Sequence, residues 1–344
     1  MKKTILSLLL LVATIAIHGN DKKKRQIEFK PAQEWFDTNG HPINAHGGGV
    51  IYFKKTYYWY GEHKLKGKSE KQFADGGIHC YSSKDLINWK DEGIVLSVDY
   101  KNENSDIAYG CILERPKVVY NNKNKQFVAY FKLYLKGVGY KVSNVGVAVS
   151  DNPNGPFTYH HKFHGGGSPY GSGDFSMFQD DNGELYHLTV RKPDKAFVIG
   201  KMDSDYYYPD GEYQICGGVD AHTEAPAVIK RKGTYHLLGS GSSGWNPNAA
   251  RSFTTNNLLG EWTSHGNPCK GINPIDKMGP EKTFSGQASY IINVRGKKDT
   301  YIAMFDIWKP QLPITGRYIW LPIQFKNNKM SIVWRDSWRL NNFK

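Results

Sequence analysis

Apolar and polar positions along this chain follow a short, strand-like rhythm, with few of the long periodic stretches that would predict helices. Five segments repeat one pattern: a polar or small lead residue, an apolar strand, a turn of Lys, Asn or Gly, then a Tyr- or Phe-rich strand. The leads are His46, Glu114, Asp174, Glu224 and Gln287. Turns such as Asp181-Asn182-Gly183 and Lys232-Gly233 read as hairpin connections, because glycine supplies the positive φ they need. Between the hairpins, Tyr81–Trp89, Val149–Phe157 and Ser252–Trp262 each give a strand end, a polar turn and an aromatic residue. These predict outer strands, with Trp89, Phe157 and Trp262 packed between neighbouring units. A period of roughly 50–70 residues with several strands per unit predicts an all-β fold, a five-bladed β-propeller, and not a solenoid.

The blades fill the chain from about residue 35 onward, so residues 35–344 are read as one propeller domain. Tyr318–Phe325 and Met330–Trp334 are left to complete the last blade or close the ring, which matters because an open edge strand invites aggregation. Ahead of the domain, Lys2-Lys3 and an apolar run to Ile17 predict a secretory signal peptide over residues 1–19, then an N-terminal extension over 20–34. The run is short for a membrane span, and no second one follows. The expectation is an exported, periplasmic or extracellular monomer without a membrane span.

The 45 Lys and Arg against 32 Asp and Glu leave a net charge of +13. That balance raises nucleic acid as a partner, but the lysines gather near the N-terminus and in turn tips such as Lys54-Lys55 and Lys297-Lys298. Solvated turn charge is the expected reading, with no nucleic-acid partner. Attraction to an acidic polymer is the alternative. Cys80, Cys111, Cys216 and Cys269 show no metal-binding spacing, and their pairing stays undecided.

In a propeller the inner strands start near the axis, so the five leads should crowd around one funnel. Carboxylates gathered there raise one another's pKa, which suits one of them to remain an acid near neutral pH. Flat rings at Trp59, Tyr60 and Trp245, with Glu62 to accept hydrogen bonds, are the chemistry that sugars call for. Packing in the core is the alternative for Trp59 and Trp245.

The segments Ala45-His-Gly-Gly-Gly49, Tyr57–Glu62, Glu114-Arg-Pro116, Asp174–Gly183, Glu224-Ala-Pro226, Gly244–Arg251 and Ser285-Gly-Gln287 together resemble glycoside hydrolase family 43, in its exo-β-1,3-galactanase branch. The resemblance implies a five-bladed propeller with Glu224 as general acid and Asp174 as the residue that tunes it. The family's usual basic Asp is absent, because Asn44-Ala45-His46 stands in its place. The branch instead implicates a Gln at the place of Gln287 in handling the attacking water. A neutral amide needs an unusual tautomer or a partner carboxylate for that role, and Glu114 is the candidate. Glu62, His46, Trp59, Tyr60, Trp245, Asn248 and Arg251 are the expected substrate contacts. Gln287 also replaces the axial His that often sits beside a central Ca²⁺, so no cofactor or metal is expected. The implied activity is inverting, exo-acting release of galactose from β-1,3-galactan, a plant-type polysaccharide. An α-L-arabinofuranosidase and a catalytically inactive glycan-binding propeller are the alternatives.

Overall fold

The structure, a computed structural model, describes residues 26–343. Its sheets form five blades of a β-propeller, and helix is confined to short 3-10 turns. Blades 1 to 4 are four-stranded antiparallel sheets over residues 46–97, 112–163, 172–215 and 224–266. Blade 5 has five strands: Tyr301–Ile307, Arg317–Lys326 and Lys329–Val333 follow its inner strand Gln287–Asn293, and Cys269–Lys270 pairs parallel at the rim. The C-terminal strands left open by the sequence therefore complete the last blade.

The inner strands are His46–Phe53, Ile112–Asn121, Ser172–Gln179, Glu224–Arg231 and Gln287–Asn293, and each packs against its neighbours in a closed ring. Each carries a bulge within two residues of its lead, where pairing with the second strand slips. A bulge turns a side chain out of the regular alternation, and four of the five leads, Glu114, Asp174, Glu224 and Gln287, meet at one end of the axis. In three blades the residue after the lead is left-handed: Gly47 (φ 60°), Arg115 (φ 53°) and Ala225 (φ 54°).

The glycines beside His46 have a steric cause. A Cβ on Gly48 would lie 1.6 Å from the Tyr60 carbonyl oxygen, and one on Gly61 would lie 2.0 Å from the Ala45 carbonyl carbon. The first two strands of blade 1 pass too close there for any side chain.

Trp89, Phe157 and Trp262 are buried between blades, as the repeat predicts. The seam between blades 5 and 1 is an aromatic cluster of Trp35, Trp59, Trp89, Tyr318 and Trp320. The first of the described residues are tied to the last blade's C-terminal side, for Phe29 pairs with Trp338 through both backbone hydrogen bonds and stacks on its ring at 4.2 Å. All four cysteines are buried free thiols. The proposed signal peptide lies outside the described residues, among which no helix is long and apolar enough to cross a membrane.

Candidate active site

At the lead end of the axis lies a cavity of about 290 Å³, walled by Glu62, Glu114, Asp174, Glu224, Gln287 and Trp245 from the expected set. Arg115, Lys132, Tyr140, Ser242, Gly244 and Trp308 complete the wall. Every blade contributes to it.

Glu224 opens the inner strand of blade 4, and its Oε2 accepts a 2.6 Å hydrogen bond from Ser242 Oγ. Burial, then the nearby Asp174 charge, raises its carboxyl above the usual range, which favours the protonated form. Asp174 goes the other way. Burial alone would push it up, but Arg115 Nη2 at 2.9 Å and Lys132 Nζ at 3.0 Å outweigh that and hold it at about 2. Two carboxyls in one cavity are thus driven apart, one toward acid and one toward anion.

Glu114 accepts from Tyr140 Oη at 2.8 Å and pairs with Lys132 Nζ at 3.3 Å. Glu62 accepts the Arg115 backbone N–H at 2.8 Å and meets Lys64 Nζ at 2.9 Å. Burial first, then the neighbouring Glu114 and Asp75, pushes Glu62 up to about 8. Lys64 serves three carboxylates at once, Glu62, Glu70 and Asp75, all within 3.0 Å.

Gln287 is held on both sides of its amide. Oε1 accepts from Arg115 Nη2 at 2.6 Å and from Trp308 Nε1 at 2.9 Å, while Nε2 donates to Ser240 Oγ at 3.0 Å. Beneath the floor, Lys117 Nζ donates only to carbonyls, the nearest that of Gly47 at 2.9 Å, and burial lowers it to about 7. Among the described residues no three His, Cys, Asp or Glu are grouped to hold a metal ion.

Five expected substrate contacts lie elsewhere. His46 is sealed beneath the cavity, stacked on Tyr318 at 5.3 Å, and burial drives it to about 3, so it is neutral. Trp59 is core of the blade 5–blade 1 seam, with Tyr318 and Trp320 each at 4.8 Å. Tyr60 is fully buried toward blade 2, where its hydroxyl donates to the Pro153 carbonyl. Asn248 braces the loop that carries Ser242 and Trp245, bonding Gly241 through both its amide atoms. Arg251 props the turn before Glu224 through Ala221 O and Thr223 Oγ1. His46 and Trp59 face blade 5, Tyr60 shares the face of Glu62 but lies two residues further from the lead end, and the last two act through loops.

Sequence reasoning missed Arg115, Lys132, Tyr140, Ser242 and Trp308. Lys132 had a signal, a lone charge in the apolar strand Gln126–Tyr134. Arg115 stood beside a named lead, but only the bulge sends its side chain to the axis.

A sequence model for glycosyl hydrolases family 43 matches residues 45–325. Among solved structures, a family 43 β-1,3-galactosidase with galactodeoxynojirimycin is 36% identical with a TM-score of 0.83, over 91% of this chain and 100% of that one. A second family 43 β-1,3-galactosidase is 33% identical at a TM-score of 0.83, over 92% of this chain and 65% of its own. An exo-β-1,3-galactanase from Phanerochaete chrysosporium with β-1,3-galactotriose is 31% identical at a TM-score of 0.78, over 91% and 68%. No curated protein matched the chain.

Proposed function

The chain belongs to glycosyl hydrolase family 43, and on that premise we propose that this glycoside hydrolase is exo-acting and inverting and releases terminal galactose from β-1,3-linked galactan. The carrying observation is the divergence of Glu224 and Asp174, one raised and one lowered within a single cavity. Glu224 gives its proton to the glycosidic oxygen as the bond to the anomeric carbon breaks. A water attacks that carbon from the opposite face and passes its own proton to a cavity carboxylate, for which Glu114 is the candidate. Asp174 keeps a negative charge beside Glu224 and so helps it hold the proton until the sugar arrives.

Two observations support the finer assignment. The cavity is small and floored by Arg115 and Gln287, which suits one terminal sugar and not a chain passing through. Trp245 and Trp308, at 5.7 Å and 72°, supply ring surface for the apolar face of a sugar. The similar structures named as β-1,3-galactosidases and an exo-β-1,3-galactanase point to the same substrate. Export rests on the lysine-led apolar N-terminus, and sequencing the N-terminus of the secreted protein tests it.

The test is product release from β-1,3-galactan and from an aryl arabinofuranoside, with wild type and Glu224→Gln. Galactose from the first, reduced about 10²–10⁴-fold in the variant with binding retained, is the expected result. Arabinose from the second alone would transfer the mechanism to another sugar. Binding without turnover would leave a glycan-binding propeller.

A further inference from the structure

Arg115 is a buried arginine in a left-handed backbone conformation, which β-carbon-bearing residues adopt at a cost unless the surroundings impose it. The conformation aims its guanidinium across the cavity floor, from blade 2 to blades 3 and 5. There Nη2 reaches both Gln287 Oε1 at 2.6 Å and Asp174 Oδ2 at 2.9 Å, and Nη1 reaches the Ala288 carbonyl at 3.2 Å. The guanidinium also lies 5.3 Å from the centre of the Trp308 ring, whose indole N–H is the second donor to Gln287 Oε1.

An arginine and an indole can only donate, so the Gln287 atom facing both must be the oxygen. Rotating the amide would set its NH₂ against two donors, and Ser240 Oγ would have to release the Gly241 carbonyl to meet the amide oxygen. We infer that Arg115 is the positioning residue of the water-handling side, locking the Gln287 amide so that it can offer the cavity an N–H and no free carbonyl oxygen. A neutral imidic tautomer is disfavoured for the same reason, since its O–H would point at the two donors. Gln287 therefore orients a water by donating to it, and the proton that the water loses goes to a carboxylate. This inference rests on the glycosidase reading of the cavity.

The test uses Arg115→Met, Gln287→Ala, their combination and Gln287→Glu in the full-length protein. Each single variant should lower kcat on β-1,3-galactobiose by about 10²-fold, the usual cost of losing one preorganised donor. Arg115 also pairs with Asp174, a loss that shifts the pH profile, so the double variant should be no slower than the slower single when both are compared at their pH optima; effects that multiply there would overturn the inference. Gln287→Glu satisfies both donors but offers no N–H, so it should be as slow as Gln287→Ala. A Gln287→Glu variant as fast as wild type would establish a base there instead. Crystal structures separate this from the activity reading. In wild type Gln287 Oε1 should contact both Arg115 and Trp308, and in Arg115→Met the amide should turn. An amide unmoved by Arg115→Met overturns the lock whatever the substrate proves to be.

Discussion

Burial and one neighbouring side chain together fit Glu224 to serve as an acid. Its carboxyl is raised by burial and by the Asp174 anion, and it is lowered by Ser242, Lys132 and Arg115. Asp174→Asn removes the raising charge and frees the two cations, both of which act downward. The alkaline limb of the kcat/KM profile should therefore move to lower pH, and a limb that stays or moves up would show that Asp174 does not tune Glu224. Stability carries a related signature at Glu62. Its folded value of about 8 lies above the ordinary 4.5, so the folded state holds this proton more tightly. Its contribution is complete below about pH 4.5 and disappears as pH rises through 8. Glu70, raised mainly by burial to about 7, and Asp306, raised mainly by burial to about 6, act in the same sense. His46, held at about 3, and Lys117, at about 7, act in the opposite sense, so the Glu62 signature is a difference between proteins: in thermal melts Glu62→Gln should gain stability relative to wild type as pH rises from 5 toward 8.

At the scale of the strand, the bulge is the device that converts sheet into site. Regular alternation would send successive side chains to opposite faces, and a slip at the lead breaks that rule where the axis needs polar groups. Blade 1 shows the steric side of this arrangement. A methyl group on Gly61 would lie 2.0 Å from the Ala45 carbonyl carbon, and backbone cannot yield there as a flexible side chain could. Gly61→Ala should separate the first two strands at the bulge and displace Glu62, giving a lower melting temperature and weakened activity together. An alanine variant with wild-type melting and turnover would mean the strands are free to part.

For the whole molecule, the two ends of the axis differ in kind. The lead end is lined by carboxylates and cations, while the far end is a hollow of about 320 Å³ where Val, Ile, Tyr and Phe side chains are rimmed by Gln179, Asp181, Lys230, Asn293 and Arg295. The ring that holds them is fastened where Phe29 and Trp338 bond and stack beside the Trp35–Trp320 contact. Phe29→Ala should cost about 3–5 kcal/mol, as truncations of buried aromatics do, while KM is unchanged because Phe29 is remote from the cavity wall. A loss of substrate affinity equal to the loss of stability would argue against that separation.

The repeat of lead, strand, turn and aromatic strand determined the architecture by itself, because hairpin turns and two-residue alternation are local properties of sequence. It likewise placed Glu114, Asp174, Glu224 and Gln287 in one cavity, since equivalent positions in successive blades must meet at the axis. The sense of each neighbouring side chain was a tertiary decision. Trp59 and Tyr60 sit within two or three residues of Glu62, yet both are core: Trp59 faces blade 5, and Tyr60, on the same face as Glu62, lies one pleat further from the cavity against blade 2. Arg115 reaches the floor only through a left-handed backbone, and its partners Gln287 and Trp308 come from the other end of the chain. Burial and charge in the assembled cavity, properties of no local segment, then separate Glu224 from Asp174 and make one of two similar carboxyls the acid.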